Sequence, residues 1–233
     1  MWVPLLLLAQ YMMVVSPPEP LPKDQPTAKT ERRVKLNSTP EALFAALTSR
    51  EQARMTEAAT ALGWEWLAHR IYGDIALHAV NLDADDATER IITLGNAAAV
   101  LKQEGADWWL VGSFSCCGPS GHAAEPFAEW KSLVWPETKD LIIHAGGAYG
   151  TGVGQTNYQV YRLLRGHMYL VFEIDENTYN WRETIDTKVR PLGPGKLATL
   201  RTRGKATTCT NWLWNPAKFR FEPVTPKPAK CPQ

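Results

Sequence analysis

From Trp64 onward, apolar residues tend to recur at every second position rather than every third or fourth. That period belongs to a strand with one buried face. Ile75, Leu77 and Ala79 follow it, and Ile91, Ile92 and Leu94 form a short apolar run. Asp107 to Phe114 (DWWLVGSF) is rich in strand formers, and Leu141 to Ile143 is another short buried run. Tyr158, Val160 and Leu164 keep even spacing, with Arg162 as the polar exception. Arg165-Gly166 is a tight-turn signal, and Met168, Leu170, Phe172 and Ile174 then alternate cleanly, so these two segments predict a hairpin. Leu197 to Thr202 and Lys218 to Phe221 read as further strands. Strands that follow one another without intervening helices imply antiparallel pairing.

The exception to the two-residue period is Ser38 to Leu62. Ser38 and Glu41 have the spacing of a capping box, and Pro40 sits in the first turn, where proline is tolerated. Leu43, Phe44 and Leu47, then Met55, Ala58, Ala59 and Leu62, recur at spacings of three and four, and Gly63 supplies a stop. The pattern predicts two short helices or one bent helix. The expected fold class is therefore mainly β (α+β): antiparallel sheets, sandwich-like or propeller-like, with a short N-terminal helical segment.

The ends differ in character. Residues 1–16 form an uncharged, almost wholly apolar stretch, shorter than the roughly 20 residues a spanning helix needs. It suits the apolar part of a secretory signal, although no Lys or Arg precedes it, and an uncleaved anchor is the alternative. Residues 17–37 form a proline-rich linker, 38–222 a single β-rich globular domain, and 223–233 a proline-rich tail. The expected location is periplasmic or extracellular. Four cysteines, Cys116, Cys117, Cys209 and Cys231, then suggest disulfides. Adjacent cysteines rarely bridge each other, so the vicinal pair is expected to reach Cys209 and Cys231, in an order the spacing leaves open.

Composition narrows the partners. A net charge of +1 argues against a dedicated nucleic-acid binder. No basic amphipathic helix is present to suggest membrane contact beyond the N-terminal segment. Ten tryptophans serve β-cores and binding faces alike.

One segment carries candidate metal chemistry. Asn81 to Glu89 reads NLDADDATE, which places Asn81, Asp83 and Asp85 at positions one, three and five, the Ala87 carbonyl at seven and Glu89 at nine. Hard cations take several oxygen ligands at such fixed places around a tight loop, which makes calcium the candidate cofactor. The segment from Asn81 to Leu94 resembles the calcium loop and following strand of FG-GAP or VCBS-type repeats, the blades of integrin α-like propellers. It departs from their pattern at Asn81 and Glu89, which stand where Asp is usual, and at Asp86, which stands where Gly is usual. No second copy follows at a propeller's 40–50-residue period. The resemblance implies a local loop–strand element and, through it, calcium binding. The mature chain is also similar to uncharacterised secreted proteins of soil bacteria, through Trp109–Phe114, Gly146–Gly154 and Val160–Phe172, a likeness that implies no activity.

The run HAGGAYGTGVG lacks the spacing of phosphate-binding loops and predicts a wide glycine-rich hairpin connection, with His144 and Tyr149 as candidate ligand-binding residues beside it. Hydrolase signatures such as G-x-S-x-G and H-E-x-x-H are absent. Carboxylates are plentiful (Glu125, Glu129, Glu173, Asp175, Glu176, Glu183), but sequence cannot set two of them across a cleft. No catalytic residue is assigned. The expected function is that of an exported non-enzymatic binding or scaffold domain. A secreted hydrolase acting on glycans and an envelope-anchored assembly component are the alternatives.

Overall fold

The computed structural model describes residues 33–65, 74–115, 126–149, 153–179 and 183–224, with the side chains of 147–149 and 153 left aside. Two helices, α1 (Pro40–Leu47) and α2 (Gln52–Ala61), precede most of the strands. A first sheet holds β1 (Val34–Lys35), β2 (Ala76–Val80), β3 (Glu89–Leu94), β4 (Ala97–Glu104) and β5 (Asp107–Ser115), in the order β1-β5-β4-β3-β2. A second holds β6 (Ala128–Lys131), β7 (Asp140–Tyr149), β8 (Val153–Leu164), β9 (His167–Tyr179), β10 (Thr184–Gly193), β11 (Lys196–Arg203), β12 (Ala206–Asn215) and β13 (Arg220–Val224). Its spatial order is the chain order, an antiparallel meander of eight strands. The mainly β, antiparallel reading therefore holds. The two sheets are open and stacked.

Turn chemistry explains the meander. Arg165 and Gly166 both adopt positive φ (51° and 75°), the twist that joins β8 to β9 through two residues. Pro194-Gly195 closes β10 on β11, with the positive φ on the glycine, as a type II turn demands. Helix α1 is capped one residue later than the sequence suggests: the Thr39 hydroxyl accepts from the Ala42 N–H. Gly63 ends the second helical segment at φ 74°.

Packing produces three layers. Leu43, Leu47, Ala58, Ala59, Leu62 and Trp64 lie against one face of the first sheet, at Ile92, Leu94, Ala97, Ala99, Leu101 and Leu110. The other face, with Ile91, Ala98, Val100, Val111 and Phe114, meets Leu141, Ile143, Tyr161, Leu163 and Met168 of the second sheet. Strand β4 is thus buried on both sides, which explains its unbroken apolar run. Beyond this interface the second sheet folds back on itself. Phe172 of β9 meets Trp212 and Phe221 edge-on at centroid distances of 5.0 and 5.9 Å, and Tyr169 meets Phe219 at 5.4 Å. These rings close a third core with Ile142, Tyr158, Val160, Val171 and Leu197.

The glycine-rich run differs from its expected role. Gly146, Gly147 and Ala148 pair with Thr156, Gln155 and Gly154, so the β7–β8 ladder extends through these glycines up to the Tyr149–Val153 pair. The physical reason is close approach: a Cβ on Gly146 would lie 2.0 Å from the Gln155 carbonyl oxygen, and its φ is +132°. Gly146→Ala is expected to lower unfolding free energy by at least about 1–3 kcal/mol, the cost of holding a side chain in such a conformation. Urea denaturation checks this, and a neutral substitution contradicts it.

Cys209, on β12, is disulfide-bonded, while Cys116, Cys117 and Cys231 lie outside the described residues. The apolar residues 1–16 lie outside them too. Among the described residues, no helix is long and apolar enough to cross a membrane.

Candidate functional site

The acidic loop connects β2 to β3 and is built by local hydrogen bonds. The Asp85 N–H donates to Asp83 Oδ1 (3.3 Å), and the Ala87 N–H donates to Asp85 Oδ1 (2.9 Å). Such side-chain turns are what closely spaced Asp residues favour. The Asn81 carbonyl is engaged elsewhere, accepting from the Lys139 N–H at 2.9 Å, and its side chain is exposed. Carboxylate oxygens of Asp83, Asp85 and Glu89 converge to within 4.8 Å of one another. Of the five expected ligands the structure thus gathers the three carboxylates, while the Asn81 side chain, expected at position one, is exposed and outside that cluster.

A fourth group occupies their focus. Lys102 Nζ donates to Asp83 Oδ2 at 2.7 Å, to Asp85 Oδ2 at 2.5 Å and to Glu89 Oε1 at 3.0 Å. Register puts it there. Arg90 pairs with Leu101 across β3 and β4, so Glu89 and Lys102 stand one step further along. Alternation places Lys102 on the side of β4 that carries Ala98 and Val100. Glu89 is fully buried and Lys102 nearly so. Glu89 Oε2 also accepts the Leu82 N–H at 2.8 Å. An ammonium has three donors and no acceptor, so three carboxylates satisfy it completely.

The electrostatics follow from burial and this contact. Burial favours the neutral form of Lys102, but its bonds to Asp83, Asp85 and Glu89 outweigh that and raise its pKa well above the usual lysine range. Burial raises Asp83 and Glu89 despite the ammonium. Asp85 is half exposed. Burial works against its charge too, but the ammonium and the Ala87 N–H hold its pKa below the ordinary value. The oxygen donors suit a hard cation, but the protein's own ammonium stands where one would sit, so the residues present do not fit calcium as an additional occupant.

His144 forms a second cluster. Its Nδ1 lies 2.8 Å from Glu176 Oε2 and its Nε2 3.5 Å from Glu129 Oε1. Tyr158 presents its ring edge-on to the imidazole at 5.3 Å, and Lys131 Nζ donates to Glu129 at 2.8 Å. Strand pairing explains the meeting: Glu129 stands opposite Ile142 on β6, two residues from His144 along β7. Tyr158 stands directly opposite His144 on β8. Glu176 is the extra residue of a β9 bulge between Asp175 and Asn177. Tyr149 closes β7 opposite Val153.

Burial lowers the His144 pKa, but the two carboxylates more than reverse this and raise it to about 9. The same contact with His144 holds Glu129 below the usual glutamate range. An unfolded imidazole titrates near ~6.5. Because the folded value is higher, the cluster's contribution to stability is complete below pH ~6.5 and is lost as pH rises through 9. His144→Gln is expected to lack this part of the stability–pH slope. The proton-linked shift of the His144 ring in NMR should show a midpoint near 9, and a midpoint near ~6.5 contradicts the geometry.

A third cluster is fully internal. Asp140 accepts from the N–H groups of Leu133 and Val134 at 3.0 and 3.2 Å and from Arg162 Nη1 at 2.8 Å. The polar exception in the β8 pattern is therefore the partner of a buried carboxylate.

Lys102 and Glu129 were not singled out by pattern as partners of the candidate residues. The available signal for Lys102 was a lone cation closing the apolar run Ala97–Leu101. Comparison with protein-family profiles, with curated proteins and with solved structures finds no match for this chain.

Proposed function

We propose that this chain is an exported, non-enzymatic binding or scaffold domain whose acidic loop is closed by its own lysine. The observation that carries the reading is the Lys102 contact with Asp83, Asp85 and Glu89, all within 3.0 Å. It turns what resembles a metal loop into a permanent clamp between β3, β4 and the connection before them. The other two clusters follow the same rule: Arg162 is matched to Asp140, and His144 to Glu129 and Glu176. Carboxylates that are each held by a fixed cationic partner suit a framework better than a reactive centre. Export rests on the apolar residues 1–16 and on cysteine use.

A secreted glycan hydrolase is the second reading, because Glu129 and Glu176 flank one imidazole. A panel of polysaccharide and chromogenic glycoside substrates separates the two. The scaffold reading expects no turnover by the full chain. Hydrolysis that is lost in both Glu129→Gln and Glu176→Gln overturns it.

A further inference from the structure

Lys102 is the one lysine that is buried among the described residues, with 4% exposure. Its amine lies against three carboxylates that differ in their access to water. The Asp85 side chain is 49% exposed, Asp83 13% and Glu89 0%. Water stabilises the charge on Asp85 and keeps it a carboxylate. At Asp83 and Glu89 little or no water does so, which brings a neutral acid beside a neutral amine within reach.

The two sheltered carboxyl groups are held in different ways. Glu89 Oε2 accepts the Leu82 N–H at 2.8 Å, and Oε1 faces Lys102 Nζ at 3.0 Å. Asp83 Oδ1 accepts the Asp85 N–H at 3.3 Å, and Oδ2 faces the same Nζ at 2.7 Å. A nucleophile therefore touches one carboxyl group whose far oxygen already has a backbone donor. A second carboxylate is fixed beside both, its oxygen within 4.8 Å of that of Asp83. These are the parts that amide formation needs.

We infer that Lys102 and Asp83 condense to an intramolecular amide, an isopeptide bond, with Glu89 as the proton relay. The bond presupposes the Lys102 clamp and makes it covalent. The resting contact is an ion pair, so the first step moves one proton from Nζ to Asp83 Oδ2. The Nζ lone pair then forms a bond to Asp83 Cγ. Charge that develops on Oδ1 is met by the Asp85 N–H, as in an oxyanion hole. Glu89 takes a second proton from the nitrogen and returns it to Oδ2. The Cγ–Oδ2 bond breaks and water leaves. The third proton stays on the amide nitrogen. No co-reactant is needed, and the local net charge is unchanged, because one ammonium and one carboxylate are consumed together. The neutral amine is a minor form, but the bond has to form only once per molecule. Well-oriented neighbouring groups react as if at effective concentrations of about 10⁵–10⁸ M, which offsets that small population.

The test is mass spectrometry of the full chain, held overnight at neutral pH, then denatured, reduced and digested with trypsin. Ordinary cleavage after Arg90 and Lys102 releases residues 71–90 and 91–102 separately. An acylated Lys102 resists trypsin. The expected product is therefore residues 71–90 joined to 91–131, about 18 Da lighter than the two peptides together. Lys102→Arg keeps a cation but loses the amine, and should be cut at position 102 with no branch. Asp83→Ala and Glu89→Gln should also lack the branch, whereas Asp85→Ala should keep it. Recovery of 91–102 as the sole product from the wild-type chain overturns the inference, whatever the variants do. That result leaves the ionic clamp standing, since the clamp is judged separately by whether calcium changes the melting temperature. A branch that persists in Asp83→Ala also overturns the inference.

Discussion

Lys102→Met is expected to lower unfolding free energy by about 3–5 kcal/mol, the usual cost of stripping one partner from a buried ionic cluster. The methionine keeps the length and apolar stem of the lysine, so packing changes little. What changes is charge: Glu89, with no exposure, and Asp83, with little, are left facing each other and Asp85 without a counter-charge. Uptake of protons by the raised carboxylates then becomes the way to relieve the repulsion, so the variant should gain more stability than the wild type as pH falls toward ~4.5. Chemical denaturation at pH 7 and pH 5 measures both effects. Lys102→Ala, which also clears space, is expected to recover part of its loss when calcium is added. A near-neutral Lys102→Met at pH 7 contradicts the clamp.

Asp140→Ala should be comparably damaging, about 3–5 kcal/mol, for a related reason. Its carboxylate is fully buried and serves three donors at once, the Leu133 and Val134 N–H groups and Arg162. Removing it leaves two amides and a buried guanidinium short of an acceptor. Burial raises the Asp140 pKa even against the attraction of Arg162, so the free carboxylate is already held at some cost. Asp140→Asn retains an acceptor oxygen and should fall between wild type and Asp140→Ala. Thermal melts of the three proteins give the order directly. An Asp140→Ala protein as stable as wild type removes the role assigned to this pair.

Much of the architecture was legible in the chain, and the reasons for the gaps are specific. The β8–β9 hairpin announced itself because one face is buried and Arg165-Gly166 demands a single turn type. Strand β4 did not. Its sequence AAAVLKQE lacks alternation because helices cover one side and the second sheet the other. Poor strand formers such as Ala and Lys then blur it further. Missing β4 meant missing Lys102, and with it the group that answers the acidic loop. The loop itself was found by spacing, since Asp83, Asp85 and Glu89 are near in sequence. The partners of His144 lie 15 and 32 residues away, on β6 and in a β9 bulge, where only strand register brings them together. Strand β10 was unread because Thr184 to Gly193 is half exposed and mixes charge with proline.

The central claim is that a lysine serves as the cation of the acidic loop. Thermal melts of the wild-type chain, with millimolar calcium in one series and excess chelator in the other, test it most directly. The account predicts one melting temperature in both. A calcium-dependent rise of several degrees that Asp83→Ala abolishes would contradict it.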